Sequence, residues 1–171
     1  MKQIFALRHS KAGQTNKKLT DDHERPLTQK GVELCEQIAE NLTSLSVVPQ
    51  VIICSTSRRT KQTADNLLEQ LKQDIPVYYS SKLYLASVED IYDEIHGLSD
   101  EIDNVLLLGH NPGLQLFCMS VSGMGSKNLY RDMKNHFPPG ALAQFELDIA
   151  SWVEVAPRAA KLEGYLNPKK S

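Results

Sequence analysis

The chain has 171 residues, of which 41% are hydrophobic and 23% are charged, and its formal net charge is −2. This length fits one domain that buries a sizeable core without a disulfide or metal staple, and this composition excludes the disordered and membrane-spanning classes. A net charge so close to zero provides no general basic field, so we expect no nucleic-acid partner.

The three cysteines, Cys35, Cys54 and Cys118, are widely spaced, with no C-x-x-C pair and no secretory signal ahead of them. We interpret them as reduced, buried residues of a cytoplasmic protein. The longest apolar runs, such as VLLLG at 105–109, are far too short to cross a bilayer, so no membrane partner is expected. Repeats and flexible linkers are absent, which predicts a single domain over residues 1–171.

Short apolar runs alternate with helical periodicity through the first half of the chain. QIFAL at 3–7 is a predicted strand, and residues 28–45, which include Val32, carry the apolar spacing of an amphipathic helix. QVIIC at 50–54 is a second predicted strand, followed by a helix from about 57 to 73. A short strand is predicted at 76–79.

The second half continues this alternation before it changes character. Ser87 and Asp90 predict a capped helix start, NVLLLG at 104–109 is typical of a strand buried on both faces, and Pro112 suits the first turn of the next helix. ALAQFELD at 141–148 and SWVEVA at 151–156 are interpreted as strands that close the sheet. The whole pattern predicts a three-layer α/β/α sandwich with a mostly parallel central sheet.

Arginine and histidine follow three of the predicted parallel strands. Arg8 and His9 follow the first, STSRRTKQTA at 55–64 follows the second, and HNPG at 110–113 follows NVLLLG. Ligands of open α/β sheets lie outside the carboxyl ends of the strands, so these segments should meet at one edge of the sheet.

Three cations, Arg58, Arg59 and Lys61, stand near the start of a predicted helix, where the helix dipole disfavours each by about 0.3–1 kcal/mol. A bound anion reverses the sign of that cost, and helix N-termini are themselves phosphate sites. The pattern therefore predicts a phosphate pocket. The plainer alternatives are a solvated basic face and, at HNPG, a turn capped by Asn111.

Other phosphate and metal chemistries fit the spacing poorly. A cysteine phosphatase loop requires C-x5-R, but Thr60 stands at the arginine position counted from Cys54. A metal site of His9, His110 and Asp22 is disfavoured because neighbouring arginines would repel a divalent cation. We therefore expect no metal and no cofactor.

Four segments, LRHSKA, RPLTQKG, STSRRTKQTA and LLLGHNPGL, together resemble the histidine phosphatase superfamily, which has the phosphoglycerate mutase-like fold. The short length and the pair RPLTQKG and GHNPGL are most similar to its small SixA-like branch, the phosphohistidine phosphatases. The resemblance covers roughly residues 3–121, and PPGALAQFEL at 138–147 fits the closing strand of that branch.

The resemblance implies a role for each of the matching residues. His9 is the nucleophile that becomes phosphorylated, with Arg8 beside it in the phosphate pocket. Arg59 rather than Arg58 is the pocket arginine, since Ser55, Thr63 and Ala64 fix the register of the family pattern. His110 is the second imidazole.

Further phosphate or substrate contacts are predicted at Ser10, Arg25 and Asn111. Two residues depart from the family pattern: Ser10 replaces the glycine of the usual R-H-G, and Thr60 stands where alanine is common. Neither change removes a reacting group.

The general acid is the least determined part of the predicted site. Larger members of the superfamily use a carboxylate to protonate an alkoxide leaving group, and here the candidates are Asp22, which we favour, and Glu89. Alternatively, Asp22 belongs only to an exposed charged loop and Glu89 only to a helix start that favours acids. Arg25 is expected to hold the substrate or that acid.

The resemblance implies a cofactor-independent phosphatase that forms a covalent phospho-His9 intermediate. The main hypothesis is hydrolysis of phosphohistidine on a phosphorelay protein, with inorganic phosphate as product, because a protonated imidazole leaves far more readily than an alkoxide. A small phosphate ester is the alternative substrate. A catalytically silent module that binds phosphate or a phosphoprotein is the alternative from another functional class.

Overall fold

Strands and helices alternate along the chain in the computed structural model, which describes residues 1–14, 21–45 and 47–168. The strands are Lys2–Arg8 (β1), Val51–Ser55 (β2), Val77–Ser80 (β3), Asn104–Gly109 (β4), Ser122–Gly125 (β5), Leu142–Leu147 (β6) and Ala160–Leu166 (β7). The helices are Gln29–Ser44 (α1), Arg58–Leu71 (α2), Val88–His96 (α3), Gly113–Val121 (α4) and Lys127–Asn135 (α5). Within the described ranges, no helix is long and apolar enough to cross a membrane.

All seven strands form one sheet in the order β3-β2-β4-β1-β6-β7-β5. β1 pairs in parallel with β4, and β2 lies in parallel between β4 and β3. β6 pairs antiparallel with both β1 and β7, and β5 pairs in parallel with β7. The carboxyl ends of β1, β2 and β4 therefore lie side by side, as the sequence predicted.

The sheet separates two hydrophobic clusters, so the predicted three-layer α/β/α sandwich is confirmed. Ile4 and Ala6 of β1 pack in one cluster with side chains of α3, α4 and α5. Phe5 and Leu7 of the same strand pack in the other cluster with side chains of α1 and α2. Successive residues of a strand point to opposite faces, and so β1 contributes to both layers.

Most predicted elements are confirmed to within two residues. Ser87 and Asp90 form the predicted capping box at the start of α3, in which each side chain bonds to the other's backbone N–H. Pro112 lies one position earlier than predicted, as the residue that precedes the first turn of α4. The prediction that Val32 lies on the inner face of α1 is wrong, because its side chain is exposed.

The closing half of the sheet differs from the prediction. Residues 151–156 do not form a strand: Trp152–Glu154 is a 3-10 turn in which a Glu154 carboxylate oxygen accepts the Ser151 N–H, and the Trp152 ring is fully buried. β6 pairs instead with β7. β5, α5 and β7 were not predicted. The sequences of β5 and α5 are mostly polar, and the apolar alternation of β7 is only four residues long.

The three cysteines are free thiols and all are buried, as predicted. Burial raises the pKa of Cys35 to about 11 and that of Cys54 to about 12. These thiols are therefore protonated near neutral pH and serve as small apolar packing residues.

Candidate active site

His9 directly follows β1, and its ring is held in one tautomer. The Nδ1 atom lies 2.7 Å from the carbonyl oxygen of Ser10. A carbonyl oxygen only accepts hydrogen bonds, so Nδ1 carries the proton and donates it. The lone pair of His9 is therefore on Nε2.

The His9 ring is also held in its neutral state. Burial lowers its pKa to about 3, and repulsion from Arg59, Arg8 and Arg25 acts in the same direction, while the bond to the Ser10 carbonyl opposes it. Only 7% of the residue is exposed. A neutral imidazole with a free Nε2 lone pair is a competent nucleophile near neutral pH.

His110 directly follows β4, and its ring centroid lies 5.1 Å from that of His9. Arg59 Nη2 lies 3.2 Å from His110 Nδ1, and a guanidinium only donates, so Nδ1 accepts. The Nε2–H then donates to Ser55 Oγ over 2.7 Å. Burial, followed by repulsion from His9 and Arg59, lowers the pKa of His110 to about 3. His110 is thus neutral, with the opposite tautomer to His9.

Arg59 and Arg8 bring two guanidinium groups to this edge of the sheet. Arg59 lies in the first turn of α2 and is only 5% exposed, whereas Arg58 beside it is exposed. Arg8 Nη1 donates to the Phe137 carbonyl over 2.9 Å. Burial and then repulsion from Arg59 lower the pKa of Arg8 from its ordinary value. The two positive guanidinium groups repel each other, which makes it unfavourable to keep both charged at this edge of the sheet. A bound anion would offset this repulsion.

The Asp22 carboxylate accepts hydrogen bonds from three side chains. Oδ2 accepts from the Tyr84 hydroxyl over 2.6 Å and from Arg59 Nη2 over 3.2 Å, and Oδ1 accepts from Arg25 Nη1 over 2.9 Å. The bond from Tyr84 makes the largest contribution in holding the pKa of Asp22 well below its usual range, with Arg25 and Arg59 adding to it against partial burial. Asp22 is therefore ionised and positions Arg59.

These contacts bear on the choice of general acid. A general acid must be protonated to act, and the low pKa of Asp22 disfavours this role. The assignment of Asp22 as the general acid stays a prediction. Glu89 lies exposed in the first turn of α3. The two candidates thus differ in setting: Asp22 belongs to the arginine cluster, and Glu89 belongs to a helix start.

The structure places the other three predicted contacts in different settings. Arg25 donates from Nε to the Gly13 carbonyl and from Nη1 to Asp22. The Asn111 amide donates to the Phe137 carbonyl over 3.0 Å, so it does not cap α4. Ser10 is fully buried and its hydroxyl donates to the Gly31 carbonyl over 2.6 Å. A phosphate contact from Ser10 stays a prediction that this bond does not favour.

A cavity of about 430 Å³ lies over these residues. Among the described residues, those that line it are Arg8, His9, Lys11, Ala12, Asp22, Arg25, Arg59, Leu85, His110, Asn111 and Pro139. Four of these side chains are cations and one is a carboxylate, so the cavity is strongly positive although the chain as a whole is not. Within the described part of the chain, no three His, Cys, Asp or Glu side chains cluster as metal ligands would.

Sequence reasoning missed two side chains that complete the site, Tyr84 and Ser55. Tyr84 bonds to Asp22, and its ring packs edge-on against the His110 ring at 5.5 Å. Ser55 was used only to set the register, whereas its hydroxyl accepts the Nε2–H of His110. No sequence motif identifies Tyr84 as a site residue. Ser55 could have been identified, because it stands at the carboxyl end of a predicted strand, where the site lies.

Sequence comparison relates the first half of the chain to a known family. The model of the histidine phosphatase superfamily (branch 1) matches residues 4–84, a range that includes His9 and Arg59. The resemblance to this superfamily that the sequence predicted is therefore confirmed over residues 4–84. An uncharacterized protein of Mycobacterium tuberculosis is 28% identical to this chain over 151 residues, which are 86% of this chain and 92% of the relative.

Solved structures of histidine phosphatases share the fold over nearly the whole chain. A structure named as the phosphohistidine phosphatase SixA from Nakamurella multipartitia superposes with a TM-score of 0.84 at 24% identity, and the match covers 98% of this chain and 96% of the other. A protein histidine phosphatase SixA complexed with tungstate superposes with a TM-score of 0.79 at 19% identity, covering 98% of both chains. The SixA-like, phosphoglycerate mutase-like fold predicted from the sequence is therefore confirmed.

Because His9 and His110 are neutral in the folded protein, we expect the protein to become less stable in mild acid. In the unfolded chain both rings bind protons as the pH falls below about 6.5, whereas in the folded protein their pKa values are about 3. The unfolded state then binds more protons, so the free energy of unfolding falls as the pH is lowered from 6.5. Urea denaturation between pH 6.5 and 4.5 should show a slope of at most about 1.4 kcal/mol per pH unit for each histidine.

A His9→Gln variant is the control for this slope, because glutamine does not titrate. The variant should show a shallower pH dependence over the same interval, whatever its stability at pH 7. Asp22 is mostly ionised in both states across this interval, and its small contribution near pH 4.5 is common to the parent and the variant. Equal slopes for the parent and the variant would show that His9 is not held neutral by the fold.

Proposed function

We propose that the protein is a phosphohistidine phosphatase that transfers the phosphoryl group to His9 and then hydrolyses the phospho-His9 intermediate. The observation that carries the proposal is the cavity in which a neutral His9 with a free Nε2 is surrounded by Arg8, Arg59 and Arg25. The SixA structure named as a complex with tungstate is that of a protein with this fold holding a tetrahedral oxyanion, which supports an oxyanion site here.

The proposed transfer uses the lone pair of His9 Nε2. Nε2 attacks phosphorus, the bond from phosphorus to the substrate imidazole breaks, and that imidazole, protonated on its other nitrogen, leaves as a neutral ring. The charge on the three phosphoryl oxygens is stabilised by fixed guanidinium donors from Arg8 and Arg59. Phospho-His9 keeps its Nδ1–H on the Ser10 carbonyl throughout.

Water completes the cycle by attacking phosphorus on the opposite side from His9. The bond from phosphorus to Nε2 breaks, and His9 returns to its neutral tautomer. Both protons of the water stay with the phosphate, which is released as dihydrogen phosphate. The proposed reaction needs no metal or cofactor group.

The state of Asp22 favours phosphohistidine over a phosphate ester. Among the described residues that line the cavity Asp22 is the one carboxylate, and its pKa is held well below its usual range. An alkoxide leaving group needs a proton from a general acid, which is worth about 10²–10⁴-fold in rate, whereas a phosphorylated imidazole brings its own proton. A small phosphate ester is therefore the less favoured substrate.

The test is the dependence of turnover on the leaving group. We expect kcat/KM for free phosphohistidine to exceed that for glycerol phosphate by about 10²-fold or more, since no general acid assists the ester. p-Nitrophenyl phosphate, whose phenolate leaves readily, should fall between the two. Release of inorganic phosphate measures all three rates. Equal rates for phosphohistidine and glycerol phosphate would contradict the proposal and favour an ester phosphatase.

An Asp22→Asn variant separates the two roles of Asp22. If Asp22 only positions Arg59, the substitution lowers kcat/KM by a similar factor for all three substrates. If Asp22 is the general acid, the loss is confined to the glycerol ester and phosphohistidine is spared. The first pattern is expected.

A covalent phosphoryl group on His9 that is labile to acid would exclude the alternative of a silent binding module.

The proposed substrate partner is a protein domain that carries phosphohistidine, with signal transduction as the setting. The buried free thiols support the predicted cytoplasmic location. Both statements stay predictions that an assay on a phosphorylated domain and a cell fractionation would test.

A further inference from the structure

Leu85 combines three properties at the mouth of the candidate site. Its backbone has φ +53°, in the left-handed region that non-glycine residues rarely adopt. Its side chain is 66% exposed, and it lines the same cavity as His9. Strained conformations are enriched at functional positions, so the use of a leucine here requires a reason.

The local backbone explains the left-handed conformation but not the leucine. Tyr84 caps the 3-10 turn Ser81–Leu83, and Leu85 is the first residue beyond that cap, where a left-handed residue commonly ends a turn. Glycine or asparagine is usual at such a position because neither pays the steric penalty of a larger side chain. The leucine side chain therefore provides something that the turn itself does not need.

Contacts on both sides hold Leu85 in place. On one side, the hydroxyl of Tyr84 bonds to Asp22 in the cavity. On the other side, the carbonyl of Ala86 packs so closely against Gly113 of α4 that a Cβ added there would lie 2.1 Å from the carbonyl oxygen. The exposed leucine is thus fixed at the mouth rather than carried by a free loop.

Two further apolar residues are exposed on the adjoining helix start. Pro112 immediately precedes α4 and is exposed, and Leu116, one turn later, is 47% exposed. The N–H of Leu116 donates to the Pro112 carbonyl, so the two residues lie one above the other on α4. We call Leu85, Pro112 and Leu116 the apolar rim.

We propose that the apolar rim binds the polypeptide that surrounds the phosphorylated histidine of a substrate protein. The proposal rests on the function proposed above and deepens it, since it names the surface by which the enzyme distinguishes a phosphoprotein from a free phosphorylated molecule. Inorganic phosphate gains nothing from an exposed leucine. A protein whose phosphohistidine reaches His9 must cover the mouth of the cavity, and there it removes these side chains from water.

The test compares one protein substrate with one small substrate. The protein probe is a histidine phosphotransfer domain phosphorylated on histidine by phosphoramidate, and the small probe is free phosphohistidine. Leu85→Asn keeps a residue that tolerates the left-handed conformation while removing the apolar side chain. Leu116→Gln makes the same change at a rim residue that does not line the cavity. We expect kcat/KM for the domain to fall roughly tenfold in Leu85→Asn, mainly through KM, and several-fold in Leu116→Gln.

Val153→Asn is the matched control. Val153 is also 66% exposed, but it lies beside Trp152, whose ring packs under the Lys2 ammonium at the opposite end of β1 from Arg8. That end is about 20 Å from the site, given the rise of a seven-residue strand. The control should match the parent on both substrates. Leu116→Gln should match the parent on free phosphohistidine to within about twofold, and Leu85→Asn, at a residue that lines the cavity, should lose several-fold less on free phosphohistidine than on the domain.

Each other result overturns the inference. Equal losses on both substrates would show that Leu85 acts on the phosphate pocket, and unchanged turnover of the domain would show that the rim does not bind it. A loss on p-nitrophenyl phosphate as large as that on the domain would assign the rim to small apolar esters. If the parent hydrolyses neither phosphohistidine substrate, the proposed function fails together with this inference. If the parent hydrolyses both and the rim variants match it, the inference alone fails.

Discussion

A His9→Ala variant is expected to lose phosphohistidine hydrolysis by on the order of 10⁴-fold or more, because it removes the imidazole that accepts the phosphoryl group in the proposed reaction. The His9 Nε2 atom is the nucleophile of the proposed reaction, and the Ser10 carbonyl fixes the tautomer that exposes its lone pair. The measurement is phosphate release under single turnover. After acid-free quenching, the parent should carry phosphate that is labile to acid and the variant should carry none.

The control for this prediction is His136→Ala, which removes an exposed imidazole that does not line the cavity. It should retain parental turnover and the trapped phosphoryl group. Phosphate binding separates loss of chemistry from loss of the pocket: His9→Ala should still bind phosphate, because Arg8, Arg25 and Arg59 remain. A His9→Ala variant as active as the parent would show that the nucleophile is another residue.

Replacing Arg59 with glutamine is expected to reduce kcat by about 10²–10³-fold, the effect of removing one fixed donor from a developing oxyanion. Arg59 has a second role, since it donates to the backbone carbonyl and carboxylate of Asp22 and to His110 Nδ1. Its loss leaves the buried Nδ1 acceptor unpaired, so the free energy of unfolding should also fall, by about 1–3 kcal/mol. Steady-state kinetics and urea denaturation measure the two effects.

Arg58→Gln provides a matched control on the same turn of α2. Arg58 is exposed whereas Arg59 is 5% exposed, so the same change of charge and size is made outside the pocket. Arg58→Gln should leave kcat within about twofold of the parent and change stability by less than about 0.5 kcal/mol, as is usual for surface substitutions. Equal losses in the two variants would mean that general positive charge at the helix start, rather than the Arg59 contacts, supports turnover.

The structure also explains why the sequence identified some site residues and not others. His9 and His110 each follow a strand whose apolar pattern is plain, and parallel pairing of β1 with β4 brings the ends of those strands together. Placing them required only local periodicity and the general geometry of parallel sheets. Tyr84 meets Asp22 across 62 residues of sequence, and no local pattern encodes such a contact.

The errors in the closing half have a related cause. The apolar residues Trp152 and Val155 stand among polar residues, a pattern that resembles a half-buried strand. The Trp152 ring instead enters the core from a 3-10 turn, and its ring N–H donates to the Ile102 carbonyl. β7 alternates buried and exposed residues only over its first four positions, and its pairing with β6 and β5 continues the strand to Leu166. Pairing energy of this kind depends on partners that are distant in sequence.

By itself the sequence determined the layer architecture, the edge of the sheet that bears the site, and the four residues Arg8, His9, Arg59 and His110 that meet there. The architecture, the edge, Arg8, His9 and His110 follow from the spacing of apolar residues and from what each strand delivers at its carboxyl end, whereas the choice of Arg59 over Arg58 rested on the resemblance to the family pattern. The tertiary structure alone decided the opposite tautomers of His9 and His110, the ionised state of Asp22, and the strained, exposed position of Leu85. The physical reason is that protonation and strain are set by burial and by contacts between distant segments, which exist only after the chain has folded.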